Sequence, residues 1–190
     1  LSIGKWKPEN YGGGFLGPMT LSEAMARSTN TIAAELTQEA SEESVIGIAR
    51  RFGITTPLKP FPSIALGSQG ISLYDMVRGY GVFMTGGTRL DPYIVDRISN
   101  SRGDVLYERP SYDPSRVYPQ RDAETMVAMM ERVIADGTGR RARLEGWQVA
   151  GKTGTSQESR DAWFVGFSAL RVGGVWVGND DDTPMARVTG

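Results

Sequence analysis

The 190-residue chain has 21 lysines and arginines, 22 acidic residues and 39% hydrophobic residues, a composition that fits one globular domain. Its net charge of -1 gives no electrostatic reason to expect a nucleic-acid partner. The absence of cysteine and histidine excludes disulfides, thiolate nucleophiles, Ser-His-Asp triads and His-ligated zinc, so we predict no metal and no cofactor, and a proton shuttle of lysine, carboxylate or tyrosine.

Helix signals begin after a first stretch that is rich in glycine and proline. Thr20-Leu21-Ser22-Glu23 fits a capping box and predicts a short helix to about Arg27. The triplet Ser28-Thr29-Asn30 interrupts the helix, because its side chains compete for backbone hydrogen bonds. A second helix should follow, and the residues predicted to face inward are Ile32, Ala33 and Leu36.

Three further helices are predicted. One runs from Ser41 to Phe52 and is stopped by Gly53. Another starts at Ser72 and ends at Gly86-Gly87, and the last runs from about Asp122 to Asp136. The apolar stripe of the helix that starts at Ser72 comprises Leu73, Met76, Val77, Tyr80, Phe83 and Met84. The stripe of the last helix comprises Met126, Met130, Val133 and Ile134.

Strand patterns occupy the remaining segments. Residues 92–98 and 104–108 are predicted to form a hairpin. Three strand-like segments then follow, at 147–156, 161–169 and 173–180, joined by short turns. The sequence therefore predicts an α+β domain in which an antiparallel meander lies on a helical scaffold, with no repeat or linker that divides it.

Two glycine motifs suggest nucleotide binding, but their surroundings do not fit. Residues 146–153 match the phosphate-loop pattern G-x-x-x-x-G-K-[ST], which needs a buried strand before it and a helix after it. The preceding GRRARLE is no buried strand, and the following GTSQESRD is a turn. Residues 12–17 match G-x-G-x-x-G but lie in a coil, so both matches are interpreted as accidental.

Lys152 is better interpreted as part of a strand. Alternation places Thr153 and Thr155 on one face, where two hydroxyls could hold a carboxylate or peptide, and Lys152 with Gly154 on the other. Gly154 would let another element approach the backbone. The alternative is an ordinary strand with an exposed lysine, just as Ser28-Thr29-Asn30 could be only a capping turn.

Five segments together carry a family resemblance. In their order and spacing they resemble the transpeptidase domain of class A penicillin-binding proteins, over essentially the whole chain. That family has the penicillin-binding and serine beta-lactamase-like fold, with helices around a five-stranded antiparallel sheet, of which this chain would supply the last three strands. The segments are NYGGGFLGPMTLSEAMARSTNTIAAEL, PSIALGSQGISLYDMVRGYGVFMTGGT, ADGTGRRA, VAGKTGTSQESRDAWFVGFS and GVWVGNDDDTPMARVTG.

The resemblance implies catalytic and substrate-binding residues. Ser28 would relay a proton to the leaving group, and Lys152 would lie against Ser28 and provide positive potential. Asn30 would hydrogen-bond the active-site lysine and the donor peptide. The remaining substrate-binding residues would be Thr153, Gly154 and Thr155, with both threonines on the carboxylate and the Thr155 N–H in the oxyanion hole.

The family's nucleophile lies in an S-x-x-K element that opens a helix, and here the chain departs from the pattern. Its only match is Ser2-Ile3-Gly4-Lys5, which precedes Trp6-Lys7-Pro8 rather than a helical pattern and lies too close to Ser28. We expect the true nucleophile before Leu1. The chain would then be the C-terminal portion of one transpeptidase domain, lacking the S-x-x-K part and the final helix, and unstable when isolated because its last strand edge is unpaired.

The function implied by the resemblance is a D,D-transpeptidase that cross-links peptidoglycan stem peptides through a serine acyl-enzyme. Its partners would be D-Ala-D-Ala peptides, beta-lactams and the rest of a bifunctional parent chain that is also a glycosyltransferase, but no nucleic acid. The parent would be anchored in the bacterial cytoplasmic membrane by an N-terminal helix outside these residues, with this domain on the periplasmic side. The alternatives are a serine beta-lactamase, a D,D-carboxypeptidase and a non-catalytic penicillin-sensing or scaffold domain.

Overall fold

A computed structural model describes residues 2–186 and 188–190 of the chain. The described residues form five α-helices and seven β-strands, with short 3₁₀ turns between some of them. The helices are α1 Leu21–Arg27, α2 Asn30–Ala40, α3 Glu42–Arg51, α4 Leu73–Met84 and α5 Gln120–Ala135. The strands are β1 Thr88–Arg89, β2 Arg97–Ser99, β3 Val105–Glu108, β4 Ser115–Arg116, β5 Ala150–Thr155, β6 Asp161–Phe167 and β7 Val172–Gly178.

Local caps start three of the helices where the sequence predicted them. The Thr20 hydroxyl accepts the Glu23 N–H of α1 at 3.2 Å, and the Ser41 hydroxyl accepts the Ser44 N–H of α3 at 3.2 Å. The Ser72 hydroxyl accepts the Asp75 N–H of α4 at 3.1 Å. Each bond satisfies a donor in the first turn, so the prediction of these three starts is confirmed.

The inward face of α2 was predicted only in part, because Ile32 and Ala33 are half-buried but Leu36 is not. Ala34 and Thr37 are its buried residues, whereas Leu36, predicted to face inward, is 41% exposed. The helix packs against the 3₁₀ turn Pro62–Leu66 and against α3, and these neighbours select the Ala34–Thr37 side. Small side chains at this contact allow close packing, so the face was decided by the neighbouring elements rather than by hydrophobicity.

The sheet that carries the strand motif is an antiparallel meander in the order β5-β6-β7. Lys152 of β5 lies opposite Val165 of β6, and Thr155 lies opposite Ala162. Strands β2 and β3 form the predicted hairpin. The short pair of β1 with β4 was not predicted, because two-residue strands leave no periodic signal.

The hydrophobic core joins the helices to this sheet. Met130 of α5, Ala150 of β5 and Phe167 of β6 form its buried cluster. Side chains from α1 and α4 pack against the cluster, including Met25 and Tyr80. Helix α1 also packs on α5, which in turn contacts β5, so the end of α1 is held beside the middle of β5. Within the described ranges, none of the helices has the length and apolarity to cross a bilayer.

Candidate active site

Ser28 lies at the end of α1 with an unusual backbone conformation. Its φ of 56° and ψ of 51° are left-handed, and its N–H donates to the Met25 carbonyl at 3.1 Å. This geometry ends many helices and is usually adopted by glycine, because a side chain there is crowded by its own backbone. The position therefore stores strain at a residue that the sequence predicted to be functional.

Lys152 makes a direct contact with Ser28. The Lys152 ammonium donates to the Ser28 hydroxyl at 2.7 Å and to the Thr153 carbonyl at 3.0 Å. The two residues are 124 positions apart in the sequence, so only the packing of α1 on α5 and of α5 on β5 brings them together. The structure thus pairs the S-x-N serine with the K-T-G lysine.

The surroundings of Lys152 favour loss of its proton. Its strand neighbour Val165 is only 2% exposed, and the lysine side chain is itself largely buried on the helix-covered face of the sheet. Burial penalises the ammonium relative to the neutral amine and lowers the pKa of Lys152 from 10.5 to about 8. A lysine with a pKa near 8 can exchange protons with a serine hydroxyl at physiological pH.

Thr153 has a hydroxyl partner that the sequence analysis missed. The hydroxyls of Thr138 and Thr153 are 2.7 Å apart, and the Thr138 N–H donates to the Ala26 carbonyl at 3.0 Å. The loop after α5 can approach α1 this closely because residue 137 is glycine, since a Cβ there would collide with the Ala26 carbonyl oxygen of α1. Thr138 belongs to the segment ADGTGRRA, whose threonine between glycines was the available signal.

Thr155 lies at the open edge of the sheet. The neighbouring Ser156 N–H donates to the Asp161 carbonyl across the hairpin at 3.0 Å. Because alternate residues of an antiparallel strand direct their N–H groups to the partner strand, the Thr155 N–H points away from β6. The Thr155 hydroxyl accepts the Gly190 N–H at 3.1 Å, so its side chain can receive a hydrogen bond at this edge.

Asn30 lies two residues after Ser28, and Gly154 lies two residues after Lys152 in β5. Asn30 is the first residue of α2, and its amide N–H donates to the Glu9 carbonyl at 2.8 Å. A Cβ at Gly154 would lie 3.3 Å from the Trp163 Cβ, which is tighter than an ordinary contact. A larger residue at this position would therefore require Trp163 to shift by a few tenths of an ångström.

A cavity of about 600 Å³ opens beside the Lys152–Thr155 strand. The cavity is also lined by the segment 66–71, by α4 and by the tryptophans of β6 and β7. Asp161 lies on this rim and accepts the Trp176 indole N–H at 2.8 Å. The cavity gives an extended ligand access to Lys152, Thr153 and Thr155.

The phosphate-loop match at residues 146–153 and the S-x-x-K match at residues 2–5 do not form sites in the structure. Lys152 lies within β5, and the segment after it forms a 3₁₀ turn and then β6, so no helix N-terminus is available for a phosphate. Ser2 and Lys5 lie in a turn closed by a bridge between Ile3 and Trp6, not at the start of a helix. Over residues 2–186 and 188–190, no cluster of three or more acidic residues could hold a metal ion.

The sequence profile of the penicillin binding protein transpeptidase domain matches residues 1–171. The chain belongs to the penicillin-binding protein transpeptidase family. Penicillin-binding protein 1A of Aquifex aeolicus is 38% identical over 175 residues, which cover 92% of this chain and 24% of that protein. Its Clostridium acetobutylicum counterpart is 33% identical over 186 residues, covering 95% of the chain and 23% of that protein. The predicted resemblance to class A penicillin-binding proteins is confirmed.

Solved structures confirm the predicted fold. Penicillin-binding protein 1A from Haemophilus influenzae has a TM-score of 0.86 at 26% identity, with 96% of this chain and 33% of that chain covered. PonA1 from Mycobacterium tuberculosis, solved in complex with penicillin V, has a TM-score of 0.88 at 25% identity, with 97% and 54% covered. The chain spans about a quarter of the curated relatives' length and is a part of this α+β fold.

Proposed function

We propose that this chain contributes the proton-relay and substrate-binding half of a serine D,D-transpeptidase site. The observation that carries the proposal is the 2.7 Å hydrogen bond from the Lys152 ammonium to the Ser28 hydroxyl. The chain has no histidine, so the proton for the leaving group must come from another side chain. Lys152, whose pKa is lowered, can pass a proton through the Ser28 hydroxyl to the leaving nitrogen.

The reaction has two acyl-transfer steps. A nucleophilic serine attacks the carbonyl of the penultimate D-Ala, its oxygen bonds to the carbonyl carbon, and the bond to the terminal D-Ala nitrogen breaks. The proton of the attacking serine passes to a base outside these residues. The leaving nitrogen takes a proton from the Ser28 hydroxyl, and the Lys152 ammonium returns one to Ser28. An amine of a second stem peptide then attacks the acyl-enzyme and forms the new amide bond, and its proton passes through Ser28 back to Lys152. The bond to the serine oxygen breaks, and the base returns the first proton to that oxygen.

The edge of β5 offers hydrogen-bond donors for two groups of the substrate, the terminal carboxylate and the carbonyl oxygen. The hydroxyl pair of Thr138 and Thr153 and the hydroxyl of Thr155 can donate to the terminal carboxylate of a D-Ala-D-Ala peptide or a beta-lactam. The outward Thr155 N–H can donate to the oxyanion that forms at the carbonyl. Binding of beta-lactams is supported by the relative PonA1, which was solved in complex with penicillin V.

The nucleophilic serine is proposed to lie in a part of the protein outside these 190 residues. Ser2 is exposed and precedes no helix, so it lacks the setting of an activated nucleophile. The curated relatives are about four times as long as the matched region. The longer protein that supplies the serine is called the parent protein. We further propose that the parent is a membrane-anchored, bifunctional peptidoglycan synthase.

Acylation by a fluorescent penicillin tests the proposed function in the parent protein. Ser28→Ala and Lys152→Met should each lower the acylation rate roughly a hundredfold, the range typical for loss of a positioned proton-transfer group. Ser2→Ala and Lys5→Met are the matched controls, since they alter the false S-x-x-K match, and both should acylate at the normal rate. Loss of acylation in Ser2→Ala, with Ser28→Ala unaffected, would reverse the assignment.

Product analysis separates the remaining candidates. Release of D-Ala from a lipid II-derived donor with formation of cross-links supports the transpeptidase, and release without cross-links supports a D,D-carboxypeptidase. Rapid multiple turnover of nitrocefin instead of a single burst supports a beta-lactamase. Binding of penicillin without any D-Ala release supports a sensor or scaffold.

A further inference from the structure

The helix that carries Asn30 has no local cap. Thr29 occupies the position before α2, but its side chain makes no capping hydrogen bond. The first N–H groups of a helix have no partner within the helix and need one from elsewhere. The start of α2 therefore depends on a group supplied by another part of the chain.

Asn10 supplies this group from 21 residues away. Its side-chain oxygen accepts the Thr31 N–H at 3.1 Å and the Thr31 hydroxyl at 3.3 Å. Thr31 is the second residue of α2, the place at which a capping oxygen is normally received. Asn10 thus acts as the cap of α2 although it lies outside the helix.

The residue beside Asn10 orients Asn30 itself. The Glu9 carbonyl accepts the Asn30 side-chain N–H at 2.8 Å. A carbonyl can only accept, so the nitrogen end of the planar amide must face Glu9 and its oxygen end must point away. The orientation of the Asn30 amide is therefore fixed by the segment that Asn10 attaches to α2.

Asn10 also holds the glycine-rich loop that follows it. Its side-chain N–H donates to the Gly14 carbonyl at 3.1 Å, and its own carbonyl accepts the Gly13 N–H at 2.9 Å. Tyr11 and Phe15 of this loop are 85% and 78% exposed, so they bury little surface. Without an anchor, little would offset the conformational entropy that the loop loses when it is ordered. The Asn10 side chain therefore connects the loop to the start of α2, and the adjacent Glu9 carbonyl is held beside Asn30.

We propose that Asn10 is a positioning residue for Asn30, and through α2 for the neighbouring Ser28, in the acyl-transfer site. The inference rests on the proposed function. In the described part of the chain the Asn10 side chain hydrogen-bonds to Gly14 and Thr31 and to neither Ser28 nor Lys152, so it acts on the reaction through the placement of Asn30. Small displacements of a substrate-orienting group reduce acyl-transfer rates while leaving the protein folded.

The test compares two substitutions of Asn10 in the parent protein. Asn10→Ala removes the cap and should lower the second-order rate constant for acylation by fluorescent penicillin roughly tenfold. Asn10→Asp keeps an accepting oxygen at the positive end of α2 and should stay within about threefold of the unmodified protein. The matched control is Asn100→Ala, because Asn100 makes similar side-chain bonds to backbone, accepting the Arg102 and Asp104 N–H groups in the distant β2–β3 hairpin.

The readouts separate positioning from stability. Normalising rates to the fraction of folded protein removes the effect of fold stability, and saturation kinetics then show whether the loss lies in the acylation step or in penicillin binding. Equal normalised rates for Asn10→Ala and Asn100→Ala would overturn the inference, as would an Asn10→Asp variant as slow as Asn10→Ala.

A separate measurement distinguishes failure of this inference from failure of the proposed function. If the unmodified parent is not acylated at all, the proposed function fails. Amide hydrogen exchange at Thr31 then still tests the cap. Faster exchange in Asn10→Ala, restored in Asn10→Asp, supports Asn10 as the group that positions α2, and unchanged exchange overturns it.

Discussion

The left-handed backbone of Ser28 predicts that its effects on stability and on activity can be separated. Ser28 has φ 56° and ψ 51°, a conformation that glycine adopts freely and alanine does not. Ser28→Gly and Ser28→Ala both remove the hydroxyl that accepts the Lys152 ammonium. The two variants therefore differ in backbone strain but share the same chemical loss.

The expected stability difference follows from two opposing terms. A left-handed conformation costs a non-glycine residue about 1–2 kcal/mol. The greater freedom of glycine in the unfolded chain offsets about 0.4–1 kcal/mol of this. We therefore expect Ser28→Gly to be more stable than Ser28→Ala by about 0.5–1 kcal/mol, or about 2 °C in the unfolding midpoint.

The activity of both variants should fall together. Hydrogen bonds to charged groups contribute about 1.5–3 kcal/mol, which corresponds to roughly a ten- to hundredfold loss in acylation even before proton transfer is counted. The assay is acylation of the parent protein by fluorescent penicillin. Stability is measured as the midpoint of a thermal transition. The transition that belongs to this domain is the one that penicillin shifts in the unmodified protein.

Two results would refute the reasoning. If Ser28→Gly unfolds at or below the midpoint of Ser28→Ala, Ser28 does not have the left-handed conformation in solution. If either variant acylates at the normal rate, the Ser28 hydroxyl is not on the proton path. A Ser99→Ala variant on exposed β2 controls for loss of a serine hydroxyl as such and should change neither quantity.

Three ionisable groups carry further predictions. Because the folded-state pKa of Lys152 lies below its unfolded value, stability should rise by up to about 3 kcal/mol as pH increases from about 8 to 10.5; urea titrations should show no such rise in Lys152→Met. Burial opposes ionisation of Asp75, but hydrogen bonds from Thr56 and Thr55 outweigh it and lower its pKa. Asp75→Asn should therefore lower the free energy of unfolding by about 2–4 kcal/mol at pH 7, and this loss should shrink below pH 3.8. The exposed Asp113→Asn control should show no such loss. Burial raises the pKa of Tyr80 to about 12, so its stabilising effect should be lost from pH 10 upward, and Tyr80→Phe should resist alkaline unfolding monitored by circular dichroism.

Local signals were sufficient for much of the fold. The caps at Thr20, Ser41 and Ser72 lie within three residues of the N–H groups that they satisfy, so each is visible in a short window of sequence. Alternation likewise predicted the three strands of the meander. The prediction that Leu36 of α2 faces inward was wrong because hydrophobic periodicity cannot identify the neighbour against which a helix packs.

The candidate site was predictable only in part. The sequence and its family resemblance identified Ser28 and Lys152 as a pair, and the structure places them in contact. Thr138 and Asn10 were missed, because each acts through one long-range hydrogen bond network rather than through a local pattern. The catalytic and binding roles of these residues stay predictions.

The sequence by itself determined the family, the helical and strand segments and the exclusion of histidine and cysteine chemistry, because composition, caps and periodicity are local properties of the chain. Only the tertiary structure decided the 2.7 Å distance from Lys152 to Ser28, the strained backbone of Ser28 and the remote cap at Asn10. The contact of Lys152 with Ser28 depends on the packing of α1 on α5 and of α5 on β5, and the remote cap depends on the attachment of Asn10 to α2. The packing around β5 also removes water from Lys152 and lowers its pKa.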